Sequence, residues 1–188
     1  MKMKIVLTAI FTLVCAVAAV SAQDKMTDFS GKWNLDASKS KLDERMRIES
    51  MTLDVTQTDK EIKIETKTKR APRPDGEMSG GGQGRGMGRG GFGGGGDGTT
   101  VYSLDGKETK SEQETAMGKI PVIFKAKMEK DGKLKLSSSR TFSGQMGEMT
   151  VTSKETWWLS DDGKTLTVKR EMETPRGTNS SELVFTKQ

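Results

Sequence analysis

Apolar and polar side chains alternate along most of the chain from Phe29 onward, and turn residues interrupt this alternation at short intervals. Met51–Val55 alternates, and Ile62–Glu65 resumes the pattern after a turn at Thr58–Lys60. A period of two is typical of β-strands with one buried face, and no long stretch has the period of a helix. The pattern predicts about ten strands, near residues 30–36, 51–57, 61–70, 99–104, 107–116, 120–129, 133–142, 148–160, 164–173 and 180–187.

The sequence Asp-Gly-Lys occurs three times between predicted strands, at Asp105–Lys107, Asp131–Lys133 and Asp162–Lys164. Because Asp-Gly supplies the positive φ angles that tight hairpins need, we expect a hairpin at each position. Ten strands joined mostly by short turns form a meander, which buries its edges best by closing into a barrel. The predicted fold class is therefore all-β, an up-and-down antiparallel barrel, with an open sheet folded into a sandwich as the alternative.

Asp162-Gly163 also predicts a strand register, because a slip of one residue would move the apolar side chains to the wrong face. A two-residue loop at this turn places Leu159 opposite Leu166 and Trp157 opposite Val168. Apolar side chains then meet on both strands, which supports the pairing.

Asp131-Gly132 predicts a different loop length. A two-residue loop would place Met128 against Lys135, which mixes the two faces. A three-residue loop with Gly132 in the left-handed conformation pairs Met128 with Leu134 instead. We therefore expect the bulged form at this turn.

Two segments depart from the strand pattern. A short helix is expected at Ala37–Arg45, where Asp36 or Ser38 is placed to cap it. Residues 76–98 contain 14 glycines. Such a segment has too little apolar surface to offset the entropy lost on ordering its backbone. We therefore predict a disordered Gly-rich insertion on the barrel rim.

The first 22 residues have the features of a secretory leader. Two lysines precede an uncharged, mostly apolar run over Ile5–Val20, and Val20–Ala22 offers small residues for cleavage. The run is shorter than the roughly 20 residues of a membrane anchor, and a bulky residue before Cys15 argues against a lipoprotein signal. We predict a cleaved signal peptide over 1–22 and an exported, periplasmic or secreted barrel domain over 23–188.

Missing residue types exclude much of enzyme chemistry. Cys15 is the only cysteine and the chain has no histidine, so cleavage leaves neither a thiol nor an imidazole. Ser-His-Asp and Cys-His catalysis and the usual zinc sites are thereby excluded. The formal net charge of +5, of which the leader carries two, is too small for a polyanion-binding surface. We predict a protein that is not an enzyme, a monomer without cofactor, metal ion, nucleic-acid partner or transmembrane segment in the mature chain.

Gly31-Lys32-Trp33, within Asp28–Leu35, resembles the Gly-x-Trp signature that opens the first strand of lipocalins and fatty-acid-binding proteins, in the calycin superfamily. Asp36–Lys41 is similar to the segment that follows this signature in small exported lipocalin-like proteins of bacteria. Glu182–Lys187 resembles the closing strand of the superfamily. The resemblance implies a barrel in which Trp33 packs across the closed end, the last strand pairs with the first, and the interior holds an apolar molecule. The short gap before the second strand and the absence of a disulfide depart from the family pattern.

Three charged residues fall on the predicted inner face, namely Arg140, Glu155 and Arg170. The register at Asp162-Gly163 places Glu155 directly opposite Arg170. A charge inside a barrel is costly unless it is paired, so one interpretation is a satisfied ion pair near an open end. The resemblance implies another, because fatty-acid-binding proteins hold the ligand carboxylate with interior arginines on late strands, and Arg140 and Arg170 resemble that arrangement.

The fifth predicted strand has charged residues on one side and uncharged polar residues on the other. The charged side must face solvent, so the polar side, Thr109, Ser111, Gln113 and Thr115, lines the interior. Such a lining suits a wet ligand cavity, and an edge region without a cavity is the alternative.

Together these features predict an exported lipocalin-like protein whose partner is a small hydrophobic or amphipathic molecule. The alternative is a non-catalytic structural or interaction module of the cell envelope with a filled core. The candidate ligand-binding residues are Arg140, Glu155, Arg170, Trp157, Phe124 and Gln113.

Overall fold

The computed structural model describes most of the predicted barrel domain, in six ranges: 26–42, 47–72, 97–115, 118–144, 147–175 and 177–188. The predicted leader, 1–22, lies outside these ranges. So does the predicted Gly-rich insertion, 76–98, except for its last two residues. Within the described ranges no helix has the length and apolar character of a membrane span.

Within the described ranges, ten antiparallel strands form a single sheet, and their positions confirm the strand pattern of the sequence. Their order in the sheet is β4-β3-β2-β1-β10-β9-β8-β7-β6-β5. The strands are β1 (Gly31–Leu35), β2 (Ile48–Gln57), β3 (Glu61–Arg70), β4 (Gly98–Ser103), β5 (Asp105–Thr115), β6 (Gly118–Met128), β7 (Leu134–Gly144), β8 (Gly147–Leu159), β9 (Thr165–Thr174) and β10 (Gly177–Lys187).

The sheet curls into a nearly closed up-and-down barrel, which confirms the predicted all-β fold class. The first and last strands pair, with Trp33 opposite Lys187 and Leu35 opposite Phe185. The two edges of the sheet are β4 and β5, which are consecutive in the chain and share no backbone ladder. The barrel is therefore open between these two strands.

The predicted hairpin at Asp105–Lys107 is wrong. Gly106 has the positive φ of 77° that the sequence implies, but it lies in an irregularity at the start of β5, where the pairing with β6 shifts register between Asp105 and Glu108. Leu104 donates its backbone N–H to the carbonyl of Lys60 at 2.8 Å, which holds the end of β4 to β3. Strand β4 pairs with β3, and strand β5 pairs with β6. The turn sequence therefore joins two strands that do not pair with each other.

The predicted register at Asp131-Gly132 is confirmed. Met128 pairs with Leu134, and Gly132 has a φ of 79° in the left-handed region. Glu129 donates its backbone N–H to the carbonyl of Lys133 at 2.7 Å, which closes a three-residue loop.

The predicted register at Asp162-Gly163 is also confirmed, although the loop is longer. Trp157 pairs with Val168 and Leu159 with Leu166. The last bond of the hairpin runs from the N–H of Ser160 to the carbonyl of Thr165, at 2.9 Å. Four residues therefore form the loop, where the sequence suggested two.

The short helix expected at Ala37–Arg45 is wrong for its described part, which ends at Leu42. Ala37–Lys39 is a turn, and Lys41 forms an isolated bridge to Glu182. The Asp36 carboxylate accepts hydrogen bonds from the backbone N–H and the hydroxyl of Ser38, at 3.1 and 2.5 Å. Such local side-chain bonds compete with helix formation, and β10 provides the backbone with another partner.

One end of the barrel is filled by large apolar side chains, and we call it the closed end. The indole Nε1 of Trp33 donates to the carbonyl of Phe29 at 3.0 Å, and the Phe29 ring meets the Trp157 ring edge-on at 6.1 Å. Burial of this group supplies much of the hydrophobic stabilisation. The closed end consists of Phe29, Trp33, Leu134, Trp157 and Leu166, each of which is at most 2% exposed.

Candidate functional site

Polar residues occupy the middle of the barrel, beyond the closed end. Strand pairing sets Leu136, Glu155, Arg170 and Ser181 side by side across β7 to β10. The next inward-facing row toward the other end contains Ser138 and Ser153, and the row after it contains Arg140. Side chains alternate between the two faces along each strand. The observed register therefore directs Arg140, Glu155 and Arg170 into the barrel, as the sequence predicts.

Glu155 binds two neighbours at once. Its Oε1 accepts a hydrogen bond from Nε of Arg170 at 2.8 Å, and its Oε2 accepts one from the indole Nε1 of Trp157 at 2.7 Å. The Glu155 and Arg170 side chains are each only 9% exposed. The charge of Arg170 is thus compensated inside the protein, as the ion-pair interpretation of the sequence requires.

Arg140 has no such compensation. Within the described ranges it forms no ion pair, and its buried Nε atom has no hydrogen-bond partner. Burial lowers the pKa of its guanidinium, and the nearby Tyr102 and Glu155 oppose this shift. The hydroxyl of Ser153, one row closer to the closed end, is also buried without a partner among the described residues. A half-buried cation with an unpaired donor is costly, and an anion placed beside it would remove the cost.

Tyr102 joins this group from β4, on the other side of the barrel opening. Its ring meets the Phe124 ring edge-on at 5.3 Å and 75°. Burial, and then the charge of Glu155, raise the pKa of the Tyr102 phenol. The alternation of β4 places Tyr102 on the inner face, but the sequence pattern alone does not distinguish it from other inward-facing residues. Its role in the cleft depends on the position of β4 across the barrel opening from Arg140, which the sequence pattern does not reveal.

Two spaces adjoin these side chains. A cleft of about 360 Å³ lies between the edges of β4 and β5, and a small inner cavity of about 30 Å³ lies beside Glu155 and Arg170. Tyr102, Thr66 and Thr100 line both spaces, so they form the boundary between them. The cleft is also lined by Asp97, Gly98, Thr99, Val101, Thr109, Lys110, Ser111, Glu112, Gln113, Val122, Phe124, Ser138 and Arg140.

The predicted ligand-binding residues divide between the two spaces. Arg140, Phe124 and Gln113 line the cleft, whereas Glu155, Trp157 and Arg170 line the inner cavity. The cleft is the space with room for a small molecule, and the inner cavity has room for about one water molecule. A ligand-binding role for these residues stays a prediction.

The polar side of β5 lies at an edge of the sheet and also lines the cleft. Thr109 pairs with Phe124 and Ser111 with Val122, so their side chains share the inner face and line the cleft. They are nevertheless exposed, because β5 is an edge of the sheet. The polar row is one wall of an open cleft and not the lining of an enclosed cavity.

A larger depression of about 730 Å³ lies along β2, β3 and β4 and is lined mostly by polar and charged side chains. Its lysines already have partners, because Lys67 pairs with Glu65 at 3.0 Å and Lys69 with Glu49 at 2.7 Å. These pairs are exposed to solvent, which screens them. The depression therefore lacks the desolvated, unpaired group that distinguishes the cleft.

Comparison with known proteins adds one distant structural likeness. No protein-family model and no curated protein matches the chain. A crystal structure of zebrafish ileal bile acid-binding protein complexed with cholic acid superposes with a TM-score of 0.46 and 17% sequence identity, covering 85% of this chain and 98% of that one. A likeness at this level supports no conclusion about the site or its ligand.

Proposed function

We propose that this protein is an exported, non-catalytic barrel that binds a small amphipathic anion in the cleft between β4 and β5. The observation that carries the proposal is Arg140, whose half-buried guanidinium lies in the cleft wall without an acidic partner in the described ranges. A carboxylate is the natural complement, because guanidinium binds it through two parallel hydrogen bonds. The leader-like residues 1–22 support export.

The two interior arginines have different roles in this proposal. Arg170 is neutralised by Glu155 at 2.8 Å and stabilises the wall of the inner cavity. Arg140 is the head-group contact. Both arginines were predicted as candidate head-group contacts. Of the two, Arg140 has no acidic partner among the described residues.

The walls of the cleft favour an amphipathic ligand over a purely apolar one. Val122, Phe124 and Tyr102 supply an apolar side, and Thr109 and Gln113 supply hydrogen-bonding groups. Ligand sites commonly combine an apolar lining with a few convergent polar groups, and volumes of about 300 Å³ and above are typical.

A second candidate function is a structural or interaction module whose barrel core is filled. The observation that favours it is the closed end, where Trp33 and Leu134 are fully buried and the adjoining cavity measures only about 30 Å³. In that case the cleft would hold only water, and no small molecule would be retained.

Native mass spectrometry separates the two candidates. The protein, produced with its leader in a bacterial host and recovered without detergent, is expected to retain or take up a small anionic molecule. Arg140→Met should lose this ligand. Lys125→Met is the matched control, since Lys125 is an exposed cation on β6. Equal behaviour of both variants and the parent, with no adduct in any of them, would favour the filled module. Amino-terminal sequencing of the same preparation tests cleavage before Gln23.

A further inference from the structure

Within the part of the barrel interior that the structure describes, the space available to a ligand is confined to the cleft. The closed end is solid, and Tyr102 separates the cleft from an inner cavity of only about 30 Å³. A cavity of about 150 Å³ accommodates the six carbons of benzene. By that standard the cleft, at about 360 Å³, accommodates about fourteen non-hydrogen atoms. A long alkyl chain would extend beyond the cleft and leave part of its apolar surface in water.

The apolar side of the cleft is aromatic. Tyr102 and Phe124 meet edge-on at 5.3 Å, and both rings line the cleft. Two rings in this arrangement offer a face and an edge to a third ring, and such contacts add to the hydrophobic gain of burial. A flexible alkyl chain would lose more conformational entropy on binding than a planar ring does.

The charge balance of the interior limits the charge of the ligand. The charges of Glu155 and Arg170 cancel across 2.8 Å. Arg140 leaves one positive charge uncompensated among the described inner-face residues. One negative charge on the ligand balances it. The other charged side chains of the cleft wall, Asp97, Lys110 and Glu112, are exposed and together add one negative charge, which does not favour a second anionic group. On the β5 side, Thr109, Ser111 and Gln113 can exchange hydrogen bonds with a hydroxyl at the far end of the ligand.

We infer that the ligand is a compact aromatic monocarboxylate, of the size of a hydroxycinnamate, with its carboxylate on Arg140 and its ring against Tyr102 and Phe124. This inference rests on the proposed function and specifies the ligand class of the same cleft. A long-chain fatty acid would leave part of its alkyl chain in solvent, and a dicarboxylate would bring a second negative charge to a wall that already carries Asp97 and Glu112.

Isothermal titration calorimetry of the leader-free chain, residues 23–188, tests the inference with ligands matched in size. 4-Hydroxycinnamate and decanoate have the same number of non-hydrogen atoms and the same charge, but only the first is aromatic. We expect 4-hydroxycinnamate to bind at least about tenfold more tightly than decanoate, because rings pack against rings and the alkyl chain loses more entropy. Palmitate should bind no more tightly than decanoate, because the rest of its chain extends beyond the cleft.

Variants assign the contacts. Arg140→Met should weaken the affinity for 4-hydroxycinnamate by about 10- to 100-fold, which is the range expected for loss of a charge-assisted hydrogen bond. Arg140→Lys should retain part of the affinity. Phe124→Leu should reduce the preference for the aromatic ligand, and Lys125→Met should change nothing.

The outcomes separate this inference from the proposed function. If decanoate or palmitate binds through Arg140 and 4-hydroxycinnamate does not, the aromatic class is wrong and the anion-binding function stands. If none of the three carboxylates binds, both are overturned. If 4-hydroxycinnamate binds equally well to the Arg140→Met variant, the assigned head-group contact is wrong.

Discussion

Glu155 and Arg170 lie directly opposite each other on β8 and β9, and their side chains form a buried ion pair at 2.8 Å. The same carboxylate accepts the Trp157 indole N–H at 2.7 Å, so one acidic group satisfies two buried donors. The arrangement joins the apolar closed end to the polar middle of the barrel. It also leaves Arg140, on β7, as the cation that an external anion can neutralise.

Removing one partner of this pair should destabilise the fold strongly. Glu155→Leu leaves the Arg170 charge and the Trp157 N–H buried without an acceptor, and we expect a loss of about 3–5 kcal/mol in the free energy of unfolding. The double variant Glu155→Leu/Arg170→Met should recover most of it, because the buried charge of Arg170 is removed and only the Trp157 N–H is left without its acceptor. Urea unfolding measures each value.

The control for this prediction is an exposed pair on the same two strands. Lys154 and Glu173 are 2.6 Å apart on the outer face, with about half of each side chain exposed. Glu173→Gln should cost less than about 1 kcal/mol. A similar cost for Glu155→Leu and Glu173→Gln would show that the inner pair has no special importance.

Arg140→Met should make the ligand-free protein more stable. The substitution removes a desolvated cation with an unpaired Nε and keeps a side chain of similar length, so we expect a gain of about 1 kcal/mol. Thermal unfolding of ligand-free protein checks this, with Arg140→Lys as the variant that keeps the charge. A loss of stability in Arg140→Met alone would mean that the guanidinium has a structural partner.

Tyr102 should ionise only under strongly alkaline conditions. It is the only tyrosine in the chain, so the alkaline change in near-ultraviolet absorbance that accompanies phenolate formation reports on it alone. Burial raises the pKa of its phenol, whereas in urea the phenol should titrate near its ordinary value of about 10. Because the folded state holds this proton more tightly, its contribution to stability is present below about pH 10 and is lost as the pH rises above that value. Titration of the folded protein at the ordinary value would contradict the buried position.

Acid should weaken the fold through its Asp-Gly-Lys turns. In all three turns the aspartate accepts the backbone N–H of the lysine two residues later, at 2.9, 3.2 and 3.0 Å. Local hydrogen bonds lower the pKa of Asp105, Asp131 and Asp162 from the ordinary value of 3.8, chiefly through the Lys107 N–H, the Lys133 side chain and the Ser160 hydroxyl respectively. Since the folded pKa values are depressed, this stabilisation is present above about pH 4 and is lost as the pH falls through the folded values.

A triple Asp→Asn variant tests the role of these turns. Asparagine keeps the local hydrogen bonds but does not titrate. The decline in the urea midpoint between about pH 5 and pH 3 should therefore be smaller in the variant than in the parent. Identical declines would place the acid sensitivity elsewhere.

Local pattern was enough to predict the strands and much of the interior. The two-residue period places Arg140, Glu155 and Arg170 on one face, and the apolar pairs Trp157–Val168 and Met128–Leu134 leave one acceptable register at each of two hairpins. These features depend on residues close together in the chain, and a wrong register would expose apolar surface. The helix predicted at Ala37–Arg45 is wrong over its described part, which ends at Leu42, because strand β10, remote in sequence, pairs with this segment.

The sequence by itself determined the strand count, the inward direction of the charged side chains and the Glu155–Arg170 pairing. Only the tertiary structure decided that β4 and β5 do not pair with each other, that Arg170 has an acidic partner while Arg140 has none among the described residues, and that Tyr102 lies across the resulting cleft from Arg140. The physical reason is that alternation is a local property of the backbone. The position of a gap in a barrel, and the side chains that meet across it, depend on the twist and closure of all ten strands together.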